Sequence, residues 1–154
     1  MIKLIKNFRT ITKNSLKTIE VELDRSSVCM GDDVMSHRET RSYPTKLLLS
    51  ELLTDLIDYV PNTPIWAISL HSNPYTTLGF LISDDNISVR IELVISDDTL
   101  NNIFTESKNS LTMYCKHYHQ NSFIHRDNES NELIQEYAEY PSLLEKVQKH
   151  LGLI

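Results

Sequence analysis

The residues able to do chemistry gather in three places, and the first is the run Ser27-Val28-Cys29-Met30-Gly31-Asp32-Asp33-Val34-Met35-Ser36-His37. It holds a thiol, two carboxylates and an imidazole in one short segment, the parts of a nucleophile with a general base. A small enzyme built on Cys29, Asp32, Asp33 and His37 is therefore one reading. The other is a shaped loop in which Cys29 packs inward and Gly31 supplies a positive-φ turn. No helix start stands beside Cys29 to lower its thiol pKa, and this favours the loop.

The second group is Cys115, His117, His119 and His125. On a strand, residues 115, 117 and 119 share a face, so their ligand atoms could converge on a metal. Alternate positions on a strand lie ~6–7 Å apart, however, which strains a tetrahedral site made from neighbours. A solvated or partly buried strand face is expected there, with no bound metal and no cofactor. The third group is the carboxylate pairs Asp32-Asp33, Asp84-Asp85 and Asp97-Asp98. Two such pairs brought together would make an acid/base or cation site. Adjacent Asp residues also mark turns and helix starts, where they bond local amides, and that reading accounts for their positions. With only Gly31, Gly79 and Gly152 in the chain, a glycine-rich phosphate loop cannot be built.

The elements that would position these groups follow from periodicity. Residues 17–24 alternate, with Ile19, Val21 and Leu23 opposite Glu20, Glu22 and Asp24, which predicts a half-buried strand. Residues 25–37 form a loop and 38–43 a returning strand. Leu48, Leu49, Leu52, Leu53, Leu56, Ile57 and Val60 make a helical stripe that ends at Pro61. A central strand over 65–70 follows, then a strand over 76–82, a turn at Asp84-Asp85-Asn86 and a strand over 87–95. Ser96 with Asp97 and Asp98 predicts a helix start, leading to a short helix through Leu100, Ile103 and Phe104. Residues 111–118 read as a strand, and 131–151 as a helix broken or kinked at Pro141.

The order β-β-α-β-β-β-α-β-α predicts a single α+β domain over 1–154, with a mostly antiparallel sheet of five to six strands and two to three helices. Residues 1–16 are expected to be a basic, partly ordered arm, an extra strand or a short helix. Two cysteines are too few for a disulfide framework, no apolar run is long enough to span a bilayer, and the N-terminus is a poor secretory signal. A cytoplasmic protein is expected.

Charge is unevenly placed. Residues 1–17 carry Lys3, Lys6, Arg9, Lys13 and Lys17 and no acid, so the remainder holds 10 basic against 21 acidic residues, a net −11. Such a body repels phosphate backbones, which disfavours direct nucleic-acid binding outside the arm, and attracts a basic partner.

The strand over 18–24, the Ser-Val-Cys-Met-Gly-Asp-Asp-Val run, the amphipathic helix and the strand around Trp66 together resemble the immunity proteins of contact-dependent growth inhibition systems. The resemblance spans residues 17–95, and its distinctive motif is Cys29-x-Gly31-Asp32-Asp33; Ser36-His37 stands where those relatives often have Pro-His. It implies a cytoplasmic, non-catalytic inhibitor that binds one cognate toxin domain, commonly a nuclease, and blocks its active site or its access to substrate. An acidic protein would suit a basic nuclease surface. On this reading Asp32, Asp33, Asp84, Asp85, Asp97 and Asp98 are the expected toxin contacts, with His37 and Tyr75 as rim or anchor residues. A regulatory or adaptor domain with an unrelated partner is the third alternative.

Overall fold

The computed structural model describes residues 17–29, 31–71, 75–85, 87–104 and 110–154; the basic segment 1–16 lies outside them. The fold is α+β. Its main sheet has the order β2-β1-β6-β3-β4-β5, from strands β1 (Thr18–Arg25), β2 (Glu39–Pro44), β3 (Ile65–Leu70), β4 (Thr76–Ile82), β5 (Arg90–Leu93) and β6 (Ser110–Tyr118). A hairpin of β7 (Ile124–Arg126) and β8 (Leu133–Gln135) stands apart, and helices α1 (Leu49–Asp55), α2 (Leu100–Ile103) and α3 (Leu143–His150) pack around the sheet.

The sheet is mixed. Four of its pairings are antiparallel, but β1 runs parallel to β6, Val21 facing Leu111 and Leu23 facing Met113. Four strands and two helices intervene between these partners, and the chain comes back beside β1 as β6, running in the same direction.

One sheet face receives α1 and α2. Leu49, Leu52, Leu53 and Leu56 pack with Leu100 and Phe104 onto Val21, Leu23, Ile68, Leu81 and Met113. Among the described residues, the opposite face is covered over β3, β4 and the end of β6, where Val147 of α3 and Phe123 meet Ala67, Phe80 and Tyr118. This is why β3 is buried on both faces while β1 alternates, leaving Thr18, Glu20 and Glu22 exposed.

The two short helices start against each other. Leu49 N–H donates to Asp98 O at 3.0 Å and Leu100 N–H to Leu47 O at 2.8 Å, so a carbonyl in the segment leading into each helix satisfies a free first-turn amide of the other. Thr99, not Ser96, caps α2, its hydroxyl accepting from Asn102 N–H. Asp97 serves the other helix, accepting from Ser50 N–H at 3.0 Å and Ser50 Oγ at 2.6 Å.

Two expected elements are shorter. The strand expected over 87–95 pairs only over Arg90–Leu93, and Ile87 is 90% exposed because the chain there wraps around the Asp85 carboxylate. The helix expected over 131–151 is confined to α3. Asn131 and Tyr137 adopt positive φ, which a right-handed helix excludes, and residues 133–135 pair as β8. Pro141 precedes the helix instead of kinking it. Ser142 and Glu145 form the capping box, Glu145 N–H donating to Ser142 Oγ at 3.1 Å and Ser142 N–H to Glu145 Oε2 at 3.2 Å. Among the described residues, no helix is long and apolar enough to cross a membrane.

Candidate functional site

The loop between β1 and β2 is tied together by its own polar groups. The Arg25 guanidinium reaches Asp32 with two bonds, Nη1 to Oδ2 at 2.7 Å and Nη2 to Oδ1 at 3.0 Å. Asp32 Oδ2 also accepts from Val28 N–H at 3.1 Å. These donors, the Arg25 bonds foremost, hold the Asp32 carboxyl well below the usual carboxylate range. His37 closes the loop, its Nε2 lying 3.0 Å from Ser27 Oγ while its carbonyl accepts from the half-buried Tyr59 hydroxyl. Asp32 and Asp33 sit in a 3-10 turn over Asp32–Val34, and the Asp33 side chain is outside the described set.

Two expectations for this loop are corrected. Cys29 is exposed and does not pack inward. Gly31 has φ −66°, a right-handed value open to any residue, because the segment turns as a 3-10 helix and needs no left-handed step.

The loop brings Ser27, His37 and Asp32 together, yet not in the arrangement of a proton relay. Asp32 Oδ2 is 3.6 Å from His37 Nε2, the same nitrogen that meets Ser27. A relay uses opposite ring nitrogens for nucleophile and acid. Here both fall on one nitrogen, and the carboxylate is already committed to Arg25. The geometry therefore serves to rigidify.

The sulfur and imidazole groups of β6 separate by depth. Cys115 is fully buried in the core, and that burial pushes its thiol up to about 12. His117 is half-buried, its Nδ1 2.9 Å from Ser26 Oγ; burial first and neighbouring His119 second lower its pKa. Its ring lies between Trp66, 5.5 Å away between centroids, and the exposed His119 at 5.6 Å. His125 stands on β7 facing Glu136. Among the described residues, no three His, Cys, Asp or Glu side chains are placed to hold a metal ion.

The remaining expected contacts are dispersed and locally engaged. Asp84 pairs with Arg90 at 2.8 Å, Asp85 accepts from the amides of Ile87 and Ser88, and Asp98 accepts from Thr99 N–H and Asn102 Nδ2. The Asp85 and Asp98 carboxyls are lowered accordingly, by backbone amides for Asp85 and by Asn102 for Asp98. The β1–β2 loop and the β4–β5 turn lie at the same end of the sheet but four strand spacings apart, roughly 19 Å. Asp97, Asp98 and Tyr75 lie at the other end.

Tyr75 is 57% exposed, stacks on His71 and borders a groove of ≈ 450 Å³ on the partly covered sheet face. The groove exists because β3 places the small Ala67 and Ser69 between Tyr114 and Tyr118 of β6 and Thr77 of β4. The charge-based reading left the apolar residues of the loop tip unnamed. Val34 is 82% and Met35 72% exposed, next to the turn that Arg25 and Asp32 hold in place. The loop also holds the apolar run Val28-Cys29-Met30, so the sequence by itself did not single out this pair.

No family model matches the chain, and neither does any curated protein or solved structure.

Proposed function

We propose that this chain is a cytoplasmic, non-catalytic inhibitor of the immunity type that binds a basic toxin domain, with the tip of the β1–β2 loop as its anchor. The observation that carries this reading is the apolar pair Val34–Met35, strongly exposed on a loop whose base is fixed by the two-point Arg25–Asp32 bond. A few well-packed side chains supply most of the energy of a protein interface, and methionine is enriched there. Fixing their backbone beforehand reduces the entropy lost on association. The acidic body, net −11 beyond residue 17, supports the choice of a basic partner through faster and more selective encounter. In this reading Asp32 acts through Arg25, holding the tip, and does not face the toxin itself. His37 has the same positioning role. Tyr75 and its groove offer a second contact on the adjoining sheet face.

The test is co-purification with the product of the neighbouring gene, followed by a protection assay in cells expressing that product. The reading expects a stable complex and survival. An intact chain that neither binds nor protects against any product of its gene neighbourhood would overturn it. The small-enzyme alternative is separated by Cys29→Ala, which removes a turnover but leaves stoichiometric protection untouched.

A further inference from the structure

Strand β8 has a neighbour on one side only. It pairs antiparallel with β7, Ile134 facing His125 and Leu133 facing Arg126, and among the described residues nothing pairs with its other edge. Leu133, Ile134 and Gln135 are all exposed, Leu133 by 64% and Ile134 by 37%. Successive residues of a strand point to opposite faces, so the two apolar side chains meet solvent on both sides of the hairpin. A two-stranded hairpin is marginal by itself, and a third strand completes it.

The ladder shows what the free edge offers. Asp127 N–H donates to Glu132 O at 2.9 Å and Glu136 N–H to Phe123 O at 2.8 Å, so Glu132, Ile134 and Glu136 turn their backbone groups toward β7. By the same alternation the N–H and C=O of Leu133 and Gln135 point outward, two donors and two acceptors in a row. The edge strands of the main sheet carry charges or proline, Arg90 and Glu92 on β5 and Glu39, Arg41 and Pro44 on β2, which discourage a further strand. Within β8 there is no charge, proline or register shift.

Charge selects the occupant. Glu132 and Glu136 stand on the same face as Ile134, one on each side of it, and both are exposed. A second copy fits poorly. The antiparallel register that pairs all four outward groups would set Glu132 opposite Glu136 twice, and like charges directly opposite destabilise a strand pair. A strand with basic residues at those two positions and an apolar one between them forms two cross-strand ion pairs and covers Ile134.

We infer that β8 is a docking edge for an extended basic segment of a partner protein, added as a third, antiparallel strand of the pattern basic–x–apolar–x–basic. Main-chain bonds to Leu133 and Gln135 hold the segment, and Glu132 and Glu136 select it. This edge is separate from the β1–β2 tip, and the inference does not depend on the inhibitor reading.

The experiment titrates the isotopically labelled full chain with the peptide acetyl-Lys-Thr-Val-Val-Lys-amide and follows the backbone amides by NMR. The amides of Leu133 and Gln135 are expected to shift saturably at millimolar concentration and to exchange more slowly with solvent, while those of Val34 and Met35 stay in place. The same peptide N-methylated at its threonine and second valine lacks the donors that face the edge, and it should bind about tenfold more weakly. In the double variant Glu132→Lys/Glu136→Lys, whose sites are both exposed, the lysine peptide should lose about tenfold in affinity and acetyl-Glu-Thr-Val-Val-Glu-amide should become the better ligand. Three results would each overturn the assignment: no saturable shift at Leu133 and Gln135, equal binding of the N-methylated peptide, or a lysine preference that survives the charge reversal. None of these outcomes bears on toxin binding at the β1–β2 tip, which co-purification and the protection assay test separately.

Discussion

Arg25 and Asp32 meet across the base of the β1–β2 loop in a fork-to-fork geometry, with parallel N–H···O bonds of 2.7 and 3.0 Å. The pair joins the last residue of a sheet strand to the first residue of a 3-10 turn, so the rigid sheet dictates where the tip stands. A bidentate bond fixes orientation as well as distance, which a single lysine contact would not.

Breaking this pair should loosen the tip without unfolding the domain. In Asp32→Asn the amide protons of Val28 and Asp32 are expected to exchange faster, and partner affinity to fall about tenfold from the added ordering cost. Core amides of β3 should be unchanged. Equal exchange at Val28 in parent and variant would show that the loop is held by other means.

The same pair gives the stability a defined pH dependence. Because the Asp32 carboxyl is depressed in the folded protein, its contribution is complete above the unfolded value of ~3.9 and is lost as pH falls toward the folded one. His117, lowered by burial, adds an earlier decline: below ~6.5 the unfolded chain takes up its proton first, which favours unfolding. Denaturant melts across the acid range should show both phases, with the lower one reduced in Asp32→Asn and the lowered Asp85 and Asp98 carboxyls supplying the remainder.

Val34→Glu and Met35→Glu test the tip directly. At 82% and 72% exposure neither substitution should change stability by more than about 0.5 kcal/mol. Partner affinity should fall by about 2 kcal/mol or more if these side chains anchor the complex. Unaltered affinity by calorimetry would move the interface elsewhere, the Tyr75 groove being the next surface to test.

Gly79 of β4 tolerates no side chain. A Cβ there would lie 2.8 Å from Glu92 O on β5 and 2.8 Å from Leu53 Cδ2 on α1. The leucine can shift but the strand carbonyl cannot, so Gly79→Ala should cost about 1–3 kcal/mol. Thermal unfolding measures it, and a wild-type Tm would mean that β5 yields readily.

The two thiols should differ sharply in reactivity. Cys29 is exposed, whereas Cys115 is buried with its thiol pushed up to about 12. A thiol reagent should modify one cysteine in the native protein and two after denaturation. Rapid labelling of both under native conditions would indicate opening of the β1–β6 core.

Periodicity and turn chemistry carried much of this fold. The strand limits at 65–70 and 76–82 coincide with β3 and β4, because side-chain alternation and flanking breakers act over a few residues and are written locally. The leucine stripe likewise yields α1 and the 3-10 turn over Leu56–Asp58 that follows it. The acids read as turn and cap residues do occupy turns and helix starts. Which helix an acid serves is another matter: Asp97 bonds Ser50, far away in sequence, because α1 and α2 begin side by side. The parallel pairing of β1 with β6 has the same character, since a strand's pattern shows which face is buried but not which strand lies beside it. The loop shows this most clearly. Composition marked Asp32 and His37 as reactive or binding groups; the folded loop pairs Asp32 with Arg25 and the His37 ring with Ser27, ties the His37 carbonyl to Tyr59 of a distant element, and leaves Val34 and Met35 facing solvent. Burial and exposure at such a site depend on elements that meet only once the chain has packed, and no local pattern encodes them.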